Sequence, residues 1–161
     1  MAYLIGEYEC KIDPKGRVMI PVGLKKQLPS EEQDRFILNR GFEQCLALYP
    51  YRVWQQIAEK VKGLNMYVKE NREFARYFLR GATEIQLDSS GRMLISKSLL
   101  DYAKIDSELV ITGLMDHMEI WSPLNYSLSI DSTNEPADFA ALAEKVMGGI
   151  NMTEGGFNGL S

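Results

Sequence analysis

The amino-acid sequence predicts an α+β fold of two similar halves about a pseudo-two-fold, with a helical pair between them. Three observations carry this expectation. The chain repeats itself: Ile12-Asp-Pro-Lys-Gly-Arg-Val-Met-Ile20 returns as Leu87-Asp-Ser-Ser-Gly-Arg-Met-Leu-Ile95, so Asp13, Gly16 and Arg17 reappear as Asp88, Gly91 and Arg92, 75 positions on. Gly6 with Gly81 and Leu24 with Leu99 share that offset, and Leu46-Ala-Leu-Tyr-Pro50 parallels Glu119-Ile-Trp-Ser-Pro123 at an offset of 73. Two copies are too few for a solenoid, which needs a stack of units to bury its faces. Second, each copy is a series of short apolar stretches punctuated by Pro and Gly, which reads as strands and turns. Third, the apolar period changes to three and four between the copies, which is helical.

The elements follow in order. Residues 3 to 12 alternate, with Cys10 and Ile12 on one face and Glu9 and Lys11 on the other, as in a half-buried strand. Asp13-Pro-Lys-Gly16 is a turn, because Pro presets its second position and Gly accepts a positive φ. Residues 17 to 20 then close a hairpin, with Val18 and Ile20 facing away from Arg17 and Met19. Pro21 suits the first turn of a short helix over 22–28. Residues 35–39 and 45–49 read as two more strands, and Pro50 opens a helix. On that helix Val53, Trp54, Ile57, Val61 and Leu64 form one apolar face, broken after Gly63 and Asn65. A second helix over 68–79 carries Phe74, Tyr77 and Phe78 on one side and Arg72, Arg76 and Arg80 on the other. The second copy has strands over 83–87, 92–95, 108–112 and 118–121, a short helix capped by Ser96, and a helix started by Ser122-Pro123. An Ala-rich segment over 136–147 is helical, and the glycines from Gly148 onward do not suit a packed ending.

A chain of 161 residues, 45% hydrophobic and 25% charged, suits one compact domain or two small halves. It holds no apolar run near the roughly 18 residues of a membrane span, and its first residues lack a signal peptide's basic region and apolar stretch. A cytoplasmic protein is expected. Cys10 and Cys45 have no metal-ligand spacing and lie in apolar segments, so buried thiols are expected, not a disulfide. No cofactor and no metal are called for. The net charge of −4 speaks against a polyanion partner only until it is mapped. Residues 11–26 carry Lys11, Lys15, Arg17, Lys25 and Lys26 against Asp13, a local +4, while residues 131–161 carry a local −4. Local fields govern binding to nucleic acid more than the total does.

The duplicated Asp-x-x-Gly-Arg is the main motif. Asp and Gly alone make a structural turn, but a turn has no need of the Arg. An Asp four residues before an Arg can clamp its guanidinium or orient the loop that presents it. Two such hairpins would present two arginines on one surface, suited to phosphates and base edges in a duplex groove. The candidate DNA-binding residues are Arg17, Lys15, Lys11 and Arg92, with Asp13, Gly16, Asp88 and Gly91 orienting the loops. The first hairpin is the more basic, so DNA is expected mainly against it. The stripe Arg72, Arg76, Arg80 is either a solvated helix face or a partner for acidic residues of a neighbouring subunit. His117 has no partner in the sequence and no catalytic role is assigned to it.

The run Ile12 to Pro21 resembles the swapped-hairpin fold of the AbrB-like DNA-binding proteins. Two copies around a helical pair, with the tracts Leu46 to Pro50 and Arg72 to Ala82, resemble the MraZ family of transcriptional regulators over about residues 3–147. The resemblance implies duplicated AbrB-like β-barrel halves over 7–54 and 83–126, a helical connector over 55–82, and a C-terminal helix with a flexible acidic, Gly-rich tail over 127–161. It implies a non-enzymatic, nucleoid-associated protein of the cytoplasm. Such a protein would bind double-stranded DNA at promoter direct repeats of the division and cell-wall gene cluster, as a homo-oligomeric ring and as a repressor. The Asp-x-x-x-Arg signature of the family falls on Asp13–Arg17 and Asp88–Arg92. The second copy departs from the first in having Ser89-Ser90 for Pro14-Lys15, so its loop lacks a basic residue. Two other readings compete. One is an antitoxin-like DNA binder of the same fold, though those are usually short single-copy chains. The other is an acid-protease-like enzyme using Asp13 and Asp88; the Arg that follows each Asp opposes the shared proton such a site needs.

Overall fold

The computed structural model describes residues 3–131 and 135–148. These fall into two compact units divided after Asn125. Most of the glycine-rich end, beyond Gly148, lies outside the described residues.

The first unit holds eight strands. The first copy supplies β1 (Glu7–Lys11), β2 (Arg17–Met19), β3 (Arg35–Arg40) and β4 (Leu46–Pro50), with the short helix α1 (Val22–Lys25) between β2 and β3. The connector is α2 (Tyr51–Lys62) and α3 (Lys69–Arg80). The second copy supplies β5 (Thr83–Gln86), β6 (Arg92–Leu94), α4 (Lys97–Ala103), β7 (Glu108–Leu114) and β8 (His117–Trp121). Helix α5 (Pro123–Asp131) follows, and α6 (Pro136–Met147) lies in the second unit. Ser96 caps α4, its hydroxyl accepting from Leu99 N at 3.4 Å, and the Ser122 hydroxyl accepts from Asn125 N at 3.1 Å. A 3-10 turn at Ser30–Glu32 was not anticipated from the sequence. It lies between α1 and β3; the start of β3 follows the start of α1 by two residues more than the start of β7 follows that of α4, which lowers the repeat offset from 75 to 73.

Strand pairing interlocks the two copies. One antiparallel sheet has the order β1-β7-β8-β4-β3-β5, and β2 pairs with β6 in a separate ribbon. The first strand of each copy therefore lies against the third strand of the other. Exchanging the copies reverses the order onto itself, which is the pseudo-two-fold. The ribbon register fixes its centre: Val18 faces Met93, its own counterpart in the repeat. In the sheet the same centre falls between β4 and β8, where Leu46 faces Ile120 and Ala47 faces Glu119.

Two expectations change here. The arms of the first hairpin do not ladder with each other; β1 goes to β7 and β2 to β6, and only the turn bonds join them. Nor do the halves form two β-barrels. The six-stranded sheet is open, with β1 and β5 at its ends, and no barrel closes among the described residues. Because β2 and β6 are three residues each and pair with one another, neither extends the sheet.

The core is built in matched pairs from the two copies. Ile12 and Leu87, Val18 and Met93, Ile20 and Ile95, and Leu24 and Leu99 are all buried in one cluster with Phe36, Leu38, Ile111 and Ile120. Each such side chain contributes about 1.5–3 kcal/mol by leaving water. The apolar face of α2 covers the sheet through Val53, Trp54 and Ile57, which pack on Ala47 and Tyr49. Helix α3 is tied in by a residue that no sequence pattern marked: buried Asn39 donates from Nδ2 to the Phe78 carbonyl at 2.9 Å and accepts from Arg40 N at 2.8 Å. Cys10 is half-buried and Cys45 buried, both as free thiols, and burial pushes the Cys45 thiol up to about 12. No helix among the described residues is long and apolar enough to cross a membrane.

Candidate nucleic-acid interface

Each repeated turn is held by one carboxylate. Asp13 Oδ1 accepts from the Lys15 and Arg17 backbone N–H groups at 3.0 and 2.8 Å, and Oδ2 accepts from Arg17 Nε at 2.8 Å. Asp88 repeats this with Ser90 N, Arg92 N and Arg92 Nε, all at 2.9 Å. In both, the Gly N–H donates to the Asp carbonyl, at 3.0 Å for Gly16 and 2.9 Å for Gly91. The glycines have φ of +86° and +82°, where an L side chain is strained. The Asp thus satisfies the backbone of the turn and fixes the guanidinium that leaves it.

The electrostatics follow from this geometry. The N–H groups of Arg17 and its guanidinium hold the Asp13 carboxyl below the usual carboxylate range, and Arg92 does the same for Asp88. Both carboxylates are locked as anions. A protease dyad needs the opposite, one carboxyl kept protonated by its neighbour, so the paired-aspartate enzyme reading fails here. Each clamp uses Nε, which leaves Nη1 and Nη2 of Arg17 for an external acceptor, and Nη2 of Arg92, whose Nη1 also faces the Asp13 carboxylate. These are the atoms that a bidentate contact to guanine or phosphate requires.

The β2–β6 ribbon brings the two clamps together. Arg17 faces Leu94 and Met19 faces Arg92, and Arg92 Nη1 lies 4.0 Å from Asp13 Oδ2. Each turn also docks on the strand after the other: Ile95 N donates to the Gly16 carbonyl at 2.8 Å, and Ile20 N to the Gly91 carbonyl at 3.3 Å. Lys15 is exposed at the tip of the first turn. Lys11 ends β1 directly opposite Glu108, an acidic cross-strand neighbour, and takes no part in the clamp. Lys25 belongs by sequence to the first hairpin, yet its Nζ lies beside the second turn, 3.6 Å from where a Cβ on Gly91 would stand. The basic charge is therefore shared across the ribbon.

Residues away from the ribbon are placed differently from their sequence pattern. Arg72 Nη1 donates to the Met66 carbonyl at 2.9 Å, the Arg80 guanidinium lies 5.8 Å from the Tyr77 ring centre, and Arg76 is exposed. They do not act as one row. His117 is not alone: its Nδ1 is 2.7 Å from Asp116 Oδ1, and its ring stacks on Tyr49 at 5.2 Å.

The ribbon of this duplicated chain thus presents two carboxylate-clamped arginines on adjacent strands. A family model described as "MraZ protein, putative antitoxin-like" matches the chain twice, over residues 3–77 and 78–146. The "Transcriptional regulator MraZ" of Flavobacterium psychrophilum is 42% identical over 159 residues, 98% of this chain and 100% of the relative. That of Christiangramia forsetii is 42% identical over 149 residues, 92% of this chain and 95% of the relative. A more distant one, from Halothermothrix orenii, is 35% identical over 144 residues, 89% and 98% of the two chains. The chain belongs to the MraZ family, which is named for transcriptional regulators and not for enzymes.

Proposed function

We propose that this protein binds double-stranded DNA in a sequence-specific way and represses transcription. The reading is carried by the paired clamps: Arg17 and Arg92 emerge from adjacent strands of one ribbon with Nε already engaged. Lys15 and Lys25 add phosphate-contacting charge on either side, which fixes position but not sequence. Asp13, Gly16, Asp88 and Gly91 orient the loops, and Lys11 is an outlying cation. The target is short direct repeats in the promoter of the division and cell-wall gene cluster, which places the protein on the nucleoid. The exchange of first strands between copies supports a swapped-hairpin organisation, with AbrB-like halves at 7–54 and 83–126, a connector at 55–82 and a tail from 127. One ribbon reads few bases, so several protomers in a homo-oligomeric ring would engage several repeats and gain through effective concentration.

The test is binding of the full chain to DNA upstream of its own gene against scrambled DNA, over a salt series. Affinity should fall steeply with salt through counterion release while the promoter keeps its advantage. Equal affinity for both DNAs at every salt concentration would refute the reading. The antitoxin-like description of the family model favours a second reading, neutralisation of a protein partner. Growth inhibition by a neighbouring gene product, relieved by this chain, would support that one.

A further inference from the structure

Two apolar surfaces of the chain lie open. One is a groove of about 280 Å³ lined by Phe42, Ile57, Val61, Leu64, Phe74 and Phe78, on α2, α3 and the β3–β4 loop. Its aromatic rings are ordered: Phe78 stacks on Phe42 at 6.2 Å and on Phe74 at 5.4 Å, yet Phe42 remains 83% exposed. Beside it, sharing Phe42, Phe74 and Phe78, is a hollow that holds Arg40 between two tyrosines. The Arg40 guanidinium lies 5.1 Å from the Tyr102 ring centre and 5.9 Å from that of Tyr77. Its Nε is buried with no hydrogen-bond partner. An unpaired guanidinium donor is costly, and because Arg40 is partly exposed its terminal nitrogens can still meet an acceptor from outside. Arg80, against the same Tyr77 ring, adds a second cation.

The other open surface is α6. Phe139, Leu142 and Val146 recur at three and four along it and are 62%, 42% and 59% exposed. A twelve-residue helix with one bare apolar face is marginal in water until that face is covered. Its charge is acidic, from Glu135, Asp138 and Glu144 against Lys145. An amphipathic helix with anchors at i, i+3 and i+7 is what an apolar groove takes up, and a carboxylate is what Arg40 lacks.

Building on the self-association proposed above, we infer that α6 of one protomer docks in the α2–α3 groove of a second copy of this chain. Phe139, Leu142 and Val146 are the anchors, and a carboxylate of α6, Asp138 or Glu144, accepts from Arg40. The acidic, apolar-faced helix and the groove beside Arg40 and Arg80 are complementary in charge and shape, and every copy of the chain carries both. Groove and helix are different patches, which makes the contact head-to-tail, the type that closes a ring.

Cross-linking between distinguishable chains tests this. Full-length Lys60→Cys chains, modified at the groove, are mixed with isotope-labelled Ala143→Cys chains, modified on α6, and treated with a short bis-maleimide. The expected product is a mixed dimer that neither variant forms alone and that the unmodified chain, with only Cys10 and Cys45, does not form. In parallel, Phe139→Asp, with its melting curve unchanged, should weaken self-association roughly tenfold or more, as loss of a buried aromatic anchor does. Absence of the mixed dimer, or a product only within single Lys60→Cys/Ala143→Cys chains, overturns the inference. So does a Phe139→Asp variant that assembles like the parent, which would leave the ring standing on other contacts. A parent chain that is monomeric by light scattering at all concentrations would instead remove the self-association itself.

Discussion

The turns at Asp13–Arg17 and Asp88–Arg92 have the same hydrogen bonds to within 0.1 Å, yet their surroundings differ. The first carries Pro14 and Lys15 and is packed tightly; a Cβ on Gly16 would stand 2.8 Å from the Ile95 carbonyl oxygen. The second carries Ser89 and Ser90 and is looser, with only the flexible Lys25 Nζ at 3.6 Å from a Cβ on Gly91. The lesson is that Asp and Gly set the conformation while the neighbours set charge and tolerance. Two sites of equal geometry need not be equal in stability or in DNA affinity.

The largest expected difference lies between the glycines. Gly16→Ala combines a strained φ with a backbone clash that cannot relax cheaply, and should cost about 2–4 kcal/mol. Gly91→Ala has the strained φ but only a mobile neighbour, and should cost about 1–2 kcal/mol. Thermal melting of both variants decides it. Equal losses would mean that the packing contrast has no energetic weight.

Next come the arginines. Arg17→Ala should cost about 1–3 kcal/mol of promoter binding per protomer if it reads a base edge, with less loss on scrambled DNA. Arg92→Ala should cost less, since Ser89 and Ser90 offer no cation beside it, but more than nothing, because Lys25 lies close by. Fluorescence anisotropy on both DNAs measures this. A folded Arg17→Ala variant with intact promoter binding would reduce the repeated motif to a structural turn. Lys15→Ala is smaller still: it should weaken all sequences alike and lower the salt slope by about 1.

Acid unfolding compares the turns through their carboxylates. Asp13 and Asp88 both titrate below the ordinary carboxylate value of 3.8 when folded. Their contribution is then fully present above that value, and is lost as the pH falls through it toward the lower folded pKa. Asp13→Asn and Asp88→Asn should each flatten the fall in stability below about pH 4, with the variants already weaker at neutral pH. An unchanged acid limb in chemical denaturation would mean that the clamps add nothing to the fold.

Much of this was legible in the sequence because it is local. The turns, the caps at Ser96 and Ser122, the buried faces of Val18 and Ile20, and the helix at 136–147 follow from neighbours a few positions apart. What was hidden is long-range. Periodicity marks β1 as a strand but cannot name β7 as its partner, and so the expected hairpin and closed barrels gave way to an open, interlocked sheet. Lys25 was assigned to the nearer turn in the chain, though folding carries it to the farther one. Asn39 sits in a run of apolar residues and looks like an exception until the Phe78 carbonyl is seen beside it.

The strand exchange bears on how this chain can be cut. A protease that opened the bend at Gly63 to Val68 would leave two fragments, each holding strands that belong to the other's sheet positions. The β1–β7, β3–β5, β4–β8 and β2–β6 ladders would still hold them together. The nicked protein should run as one species under native conditions and as two only in denaturant, and the separately made fragments should each be unstructured until mixed. Folding of the intact chain must await pairings between segments remote in sequence, so it should be slow for a protein of this size.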